Sequence, residues 1–199
     1  DEEIVSWVPA GVMRHDDRQG NELVTDSGHL MVMNAGSGFW HAEETLDEDP
    51  PLRMLQIFVR PHSLGLEPGI QHEAIPDPTP NEWRHLFGPE GGDAPLYVRN
   101  EVDFYDCRLD AGGSVSLPAQ AGRDTYLYVF EGAVTVGPED EPVGYTESAL
   151  VIDGDGESRE GEAGADESGV TVTATEDSVL VAFAIEPDAP VTRQGTIGR

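Results

Sequence analysis

The sequence has no lysine, a single cysteine and no long hydrophobic run, and each absence narrows the possible functions. All 11 basic residues are arginines, and 39 acidic residues outnumber them to give a formal net charge of -28 at pH 7. Contacts to phosphates need a basic surface, so direct nucleic-acid binding is disfavoured. Without a run of about 18 apolar residues, no membrane-spanning helix is predicted.

The lone cysteine, Cys107, rules out an internal disulfide and suits a reducing cytoplasm. It lies in the segment DFYDCRLD, whose alternating apolar and polar residues predict a β-strand. No histidine stands near it in the sequence, so a buried structural thiol is favoured over a nucleophile.

The acidic excess predicts a protein adapted to the salt-rich cytoplasm of a halophile. A chain with a net charge of -28 repels itself strongly at low ionic strength. In molar salt the Debye length falls to about 3 Å, and the repulsion is screened. Acidic composition is also typical of disordered tails, but strand-like apolar runs continue along the whole chain.

Short apolar runs separated by Gly, Pro and Asp turns predict an all-β fold of sandwiches or barrels. The segments EIVSWVPAGV (3–12) and DTYLYVFEGAV (124–134) each combine a strand, a glycine and the start of a return strand. This weak internal repeat indicates two similar units. An acidic segment of low complexity, residues 154–168, is expected to form a long exposed loop.

Turn-forming residues concentrate in the middle of the chain and predict the boundary between the two units. They form the segments PDPTP (76–80) and GPEGGDAP (88–95). We therefore expect a first unit over residues 1–76, a linker over 77–95 and a second unit over 96–199.

The segment most informative about chemistry is GHLMVMNAGSGFWHAEE, residues 28–44. A predicted strand runs into a Gly-rich turn, after which His41 and Glu43 follow two residues apart. On an extended segment their side chains share one face. Imidazole nitrogens and carboxylate oxygens both bind divalent first-row metals. Two ligands do not make a site by themselves, and a solvated polar pair at a strand end is the alternative.

This segment resembles the second cupin motif of the pirin family. The segments LQIFVRP (55–61) and GLEPGIQH (65–72) resemble the pirin sequence that follows the motif. The resemblance covers the first unit almost completely and the second unit more loosely. The residues that match the motif are Gly28, Met33, Ala35, Gly36, Gly38, His41, Ala42 and Glu43.

The stretch before this motif, EIVSWVPAGVMRHDDRQGN (3–21), resembles the pirin strand pair that precedes it. Within it, Glu3 and Gly11 match the end of the first cupin motif, and His15 and Asp16 match the hairpin. The resemblance implies an all-β bicupin made of two jelly-roll-like β-barrels. It also implies one metal, held in the N-terminal barrel.

The resemblance implies Fe(II) or another divalent first-row metal, bound by His41, Glu43 and a His-x-His pair of the first motif. Glu43 would also act as the catalytic base. The His-x-His pair would stand a few residues before Glu3, but the sequence begins at Asp1 and lacks an initiator methionine. We therefore expect a truncated sequence whose missing ligands lie upstream.

The second unit is expected to be metal-free, because no histidine follows His85. Pro118 and Gln120 occupy the positions that correspond to the missing His pair, and neither residue suits a metal. The other histidines lie in a hairpin, at a strand start or in connecting segments, and are not expected to be ligands. They are His15, His29, His62, His72 and His85.

The resemblance implies a dioxygenase that acts on a phenolic or flavonol-like small molecule at a single non-haem iron, as quercetinases do. An alternative is a metal-dependent regulatory pirin that binds a protein partner without turnover. A remnant with neither metal nor activity is a third possibility. For each, we expect a cytoplasmic monomer that binds neither membranes nor nucleic acid directly.

Overall fold

The computed structural model describes residues 1–17, 20–38, 40–118, 120–151 and 169–192. Every regular element in these ranges is a β-strand, so the predicted all-β class is confirmed. The described part of the chain contains no helix that could span a membrane. The acidic loop expected over residues 154–168 lies outside the described residues.

The strands are short and follow one another through tight turns. The first nine are β1 (Glu3–Ala10), β2 (Met13–Asp17), β3 (Glu22–Thr25), β4 (His29–Asn34), β5 (His41–Glu44), β6 (Arg53–Val59), β7 (Gly69–Ala74), β8 (Trp83–Pro89) and β9 (Leu96–Val98). The others are β10 (Val102–Leu109), β11 (Ser114–Ser116), β12 (Asp124–Glu131), β13 (Val134–Val136), β14 (Glu141–Val143), β15 (Ser148–Val151), β16 (Thr171–Ala174) and β17 (Ser178–Ile185).

The chain forms two compact units, each assembled from separate stretches of sequence. Unit 1 comprises Asp1–Asp77, Phe87–Glu101 and Ala189–Arg199, of which 193–199 are not among the described residues. Unit 2 comprises Pro78–Leu86 and Val102–Asp188.

The segment 77–95, expected to be a linker, contains a regular strand. This strand is β8, and its residues are divided between the two units. Leu86 and Phe87 on β8 are fully buried, so the strand belongs to the packed structure. Pro and Gly residues lie on both sides of β8, and burial does not alternate along WRHLFGP, so the local sequence indicates turns rather than a strand.

Unit 1 is built from two antiparallel sheets with the strand orders β6-β1-β4-β7 and β3-β2-β5. Both sheets contribute apolar side chains to one core, because each strand turns alternate residues to the same face. The buried members are Val8, Met13, Met31 and Met33, against which Ile4, Leu23, Leu52, Met54 and Ile70 pack.

Unit 2 contains strands in the order β15-β12-β17-β10-β8 and a second sheet with the order β11-β16-β13-β14. Its core includes Cys107, Leu109, Leu127, Val129, Val134, Val172 and Leu180. Cys107 is only 1% exposed, and this burial raises the pKa of its thiol to about 12. The cysteine therefore stays a neutral thiol inside the core at neutral pH, as the sequence led us to expect.

Candidate metal centre

The candidate centre lies on the ladder between strands β2 and β5 of unit 1. The two strands are antiparallel, with Asp17 opposite His41 and His15 opposite Glu43. Directly opposite residues of a ladder point to the same side, and so do residues two apart on one strand. These four titratable side chains therefore share one face. The predicted metal ligands, His41 and Glu43, are two of the four.

A Gly-rich turn delivers β5 to this position. Gly36 has a φ of +51°, and a Cβ at this residue would collide with the carbonyl oxygen of Leu66. Glycine alone meets both demands, because it tolerates positive φ and has no side chain. Gly38 follows with a φ of +102°, which also favours glycine.

The shared face of β2 and β5 is directed toward the opposite sheet of unit 1. Met13, two residues before His15 on β2, belongs to the core between the sheets. In the other sheet, Gln56 of β6 donates a hydrogen bond from Nε2 to Glu43 Oε2 at 2.9 Å. Glu43 therefore has one carboxylate oxygen fixed by a neighbouring strand.

The other carboxylate oxygen of Glu43 has no such partner. Oε1 is buried and makes no hydrogen bond within the part of the chain that the structure describes. A buried carboxylate oxygen without a donor is costly, and a cation is one group that satisfies it. On this observation, the imidazole of His41 and the carboxylate of Glu43 fit a divalent first-row metal.

His15 belongs to the same face, although its place in a polar hairpin did not indicate a ligand. It is 2% exposed, and its ring stacks on that of His41 with 5.4 Å between centroids and 18° between planes. Nε2 lies 3.5 Å from Asp17 Oδ2. Nδ1 is buried and has no hydrogen-bond partner among the described residues.

A hairpin rich in Arg, His and Asp is typical of an exposed polar turn, but His15 is buried in the structure. Met13, His15 and Asp17 alternate along MRHDD and are all buried, whereas Asp16 is exposed. The period of two, anchored by the apolar Met13, is the signal in the sequence that could have identified His15.

Among the described residues, no further donors complete a coordination sphere with His41 and Glu43. No group of three or more His, Cys, Asp or Glu side chains in the described ranges is arranged to hold a metal ion. The His-x-His pair that the resemblance implies upstream of Asp1 is not part of this sequence. The metal-binding role of His41 and Glu43 therefore stays a prediction.

Comparison with known proteins decides the family. The family model described as Pirin matches residues 1–59, and the model described as Quercetinase C-terminal cupin domain matches residues 85–185. A pirin-like protein of Caulobacter vibrioides is 31% identical over 183 residues, covering 91% of this chain and 72% of that protein. The chain belongs to the pirin family.

Other pirins and pirin-like proteins show how far the likeness extends. A quercetin 2,3-dioxygenase of Escherichia coli is 26% identical over 136 residues, which cover 68% of this chain and 58% of that enzyme. The solved structure of a bacterial pirin from Escherichia coli in complex with nickel(II) superposes with a TM-score of 0.74. Its sequence identity is 21%, and the match covers 94% of this chain and 73% of that one. The expected bicupin fold is therefore confirmed.

In this pirin, Glu3 lies away from the candidate centre. It alternates on β1 with Ile4, which packs on the core that faces His15, so the Glu3 side chain occupies the opposite face of the strand. Glu3 is fully buried. Arg99 Nη2 donates to its Oε1 at 2.8 Å, and Asn34 Nδ2 donates to Oε2. Glu3 thus forms a buried ion pair within unit 1.

The other histidines of unit 1 are engaged elsewhere. The rings of His29 and His72 stack with 5.1 Å between centroids, and His29 Nδ1 lies 2.9 Å from Asp26 Oδ1. Burial is the main cause that lowers the pKa of His72. His62 Nδ1 lies 2.8 Å from the hydroxyl of Ser63.

In unit 2 the polar side chains of the second cupin form a network of their own. His85 Nε2 and Arg123 Nη1 both contact the carboxylate of Asp103. The ring of His85 stacks on Tyr105 at 4.5 Å. Gln120, at the position that corresponds to a missing ligand, donates from Nε2 to the Tyr105 hydroxyl oxygen at 3.1 Å. These polar groups therefore serve as hydrogen-bond partners for one another.

Proposed function

We propose that this pirin is a metal-dependent dioxygenase that acts on a phenolic or flavonol-like small molecule. His41 and Glu43 would supply two of its metal ligands. The observation that carries the proposal is the buried Oε1 of Glu43, which has no hydrogen-bond partner among the described residues and lies on the same ladder face as His41. The Escherichia coli relative named quercetin 2,3-dioxygenase supports the reaction class, and the nickel(II) complex of a structural neighbour supports a divalent metal.

Fe(II) is the metal we propose, because His and carboxylate donors with open positions are typical of non-haem iron oxygenases. When bound, it would supply the redox chemistry with dioxygen and orient the reactants. The missing donors would come from the His-x-His pair expected before Asp1.

The residues of this chain would prepare the substrate. Gln56 fixes Oε2 of Glu43 and leaves Oε1 as the oxygen available to the site. A carboxylate held in this way can accept the proton of a phenolic hydroxyl within hydrogen-bond reach. Met31 and Met33 lie fully buried in the same core and provide the apolar surroundings that suit an aromatic ring.

The test uses the natural full-length protein, loaded anaerobically with iron(II). We expect one bound iron per chain and oxygen consumption in the presence of a flavonol. His41→Ala and Glu43→Gln should each lower iron affinity more than 10-fold, since even the loss of an outer-shell partner costs about 10- to 100-fold. Iron content and oxygen uptake measure both effects.

Glu44→Gln is the matched control, because Glu44 adjoins Glu43 in sequence but pairs with Arg14 in the ladder and points to the other face. It should bind iron as the wild type does. A full-length protein that binds no metal would refute the proposal, as would full iron retention in His41→Ala. Iron binding without oxygen uptake across a panel of phenols would favour the regulatory alternative.

A further inference from the structure

The buried His15 is tied to the candidate centre through the ring of His41. The two rings are 18° from parallel, but their surroundings differ: His15 is 2% exposed, whereas His41 is exposed on a strand at the edge of its sheet. The ring of His15 lies against the His41 ring and limits the rotamers that the imidazole can adopt.

His15 is itself held by the hairpin that follows β2. Its Nε2 lies 3.5 Å from Asp17 Oδ2. Asn21 donates from Nδ2 to Asp17 Oδ2 at 2.8 Å and from its backbone nitrogen to Oδ1 at 3.1 Å. The backbone nitrogen of Asp17 donates in turn to the carbonyl oxygen of Asn21. The carboxylate is therefore fixed from several directions, and it restrains the buried ring.

We propose that His15 is a positioning residue: held by Asp17, its ring sets the plane of the His41 imidazole. The inference rests on the proposed metal role of His41. The lone pair of an imidazole lies in the ring plane, so the ring orientation decides whether His41 can reach a shared ion. Groups that orient metal ligands typically contribute 10- to 100-fold to metal affinity.

Two substitutions distinguish the effect of the ring surface of His15 from the effect of its ring nitrogens. His15→Ala removes the stacking surface, whereas His15→Phe keeps a flat ring and removes both nitrogens. In the natural full-length protein, titrated with nickel(II) in a calorimeter, we expect His15→Ala to lower affinity about 10- to 100-fold. His15→Phe should retain most of the wild-type affinity. His29→Ala is the matched control, because it deletes one ring of the other stacked histidine pair, and it should leave affinity unchanged.

A measurement on the metal-free protein tests the positioning role of His15 independently of the proposed function. Stacking shifts the ring-proton resonances of His41 and holds them at one position in the metal-free protein. His15→Ala should move these resonances to those of a freely rotating histidine, and His15→Phe should keep a ring-shifted signal. Unchanged His41 resonances in His15→Ala would overturn the inference, whether or not the protein binds metal.

The nickel(II) affinities of the two His15 variants also test the positioning role. Wild-type nickel(II) affinity in His15→Ala would overturn the positioning role. Equal losses in His15→Ala and His15→Phe would also overturn it, because the nitrogens rather than the ring surface would then matter. If the wild-type protein binds no metal, the proposed function fails, and the resonances alone decide whether His15 orients His41.

Discussion

Replacing Arg99 with methionine should destabilise unit 1 by about 3–5 kcal/mol, because it would leave the Glu3 carboxylate charged, buried and without its cation. The Glu3 side chain is 0% exposed and that of Arg99 9% exposed. Arg99 approaches Oε1 of Glu3 with Nη2 at 2.8 Å and Nε at 3.1 Å. After the substitution, the donors to the carboxylate that remain among the described residues are Asn34 Nδ2 and the backbone nitrogen of residue 99.

Urea unfolding in molar potassium chloride measures this loss. With a slope of about 2 kcal/mol per molar urea, a loss of about 3–5 kcal/mol lowers the unfolding midpoint of unit 1 by about 1.5–2.5 M. Arg14→Met is the matched control: its ion pair with Asp49 is also in unit 1, but the Arg14 side chain is 35% exposed. The control should cost less than Arg99→Met, because Arg14 is partly exposed and the backbone nitrogen of Leu46 still donates to Asp49.

A double variant, Glu3→Leu with Arg99→Met, should recover much of the lost stability, because no buried charge is then left uncompensated. The reasoning would be refuted if Arg99→Met unfolded at the same urea concentration as Arg14→Met. It would equally be refuted if the double variant were less stable than Arg99→Met alone.

Two further predictions follow from charge and burial. Cys107 should resist thiol reagents at pH 8 in the native protein and react after unfolding, because burial raises its pKa to about 12 and keeps the unreactive protonated form; fast labelling of the native protein would contradict this. The melting temperature should rise as potassium chloride increases from about 0.1 M to about 1 M, because the Debye length falls from about 10 Å to 3 Å and screens the net charge of -28. A melting temperature that is unchanged or lower would contradict the salt-adaptation reasoning.

Much of the fold could be predicted because side chains along a β-strand alternate between a buried and an exposed face, which gives the sequence a period of two. The run VDFYDCRL became strand β10, with Cys107 and Leu109 turned to the unit 2 core. The same period of two predicts, from the sequence alone, that His41 and Glu43 share one face of a strand. The likeness to pirins rested on such local segments, and the family models match both halves of the chain.

Other parts of the structure depend on residues that are distant in sequence. Glu3 and Arg99 are separated by 96 positions, and nothing near either residue indicates the pairing. The burial of His15 depends on β5 lying beside β2 and on the opposite sheet covering that face. Strand β8 lies within 77–95, where the flanking Pro and Gly residues predict turns and the strand itself shows no period of two.

By itself, the sequence determined the all-β class, the likeness to pirins and the shared face of His41 and Glu43, because each of these depends on residue types at short spacing. Only the tertiary structure decided that Gln56 donates to one oxygen of Glu43 while the other has no partner in the described part of the chain. It alone brought His15 against His41 and turned Glu3 away from the candidate centre. The physical reason is that burial and hydrogen-bond partners are properties of strands brought together by folding, and no single strand contains them.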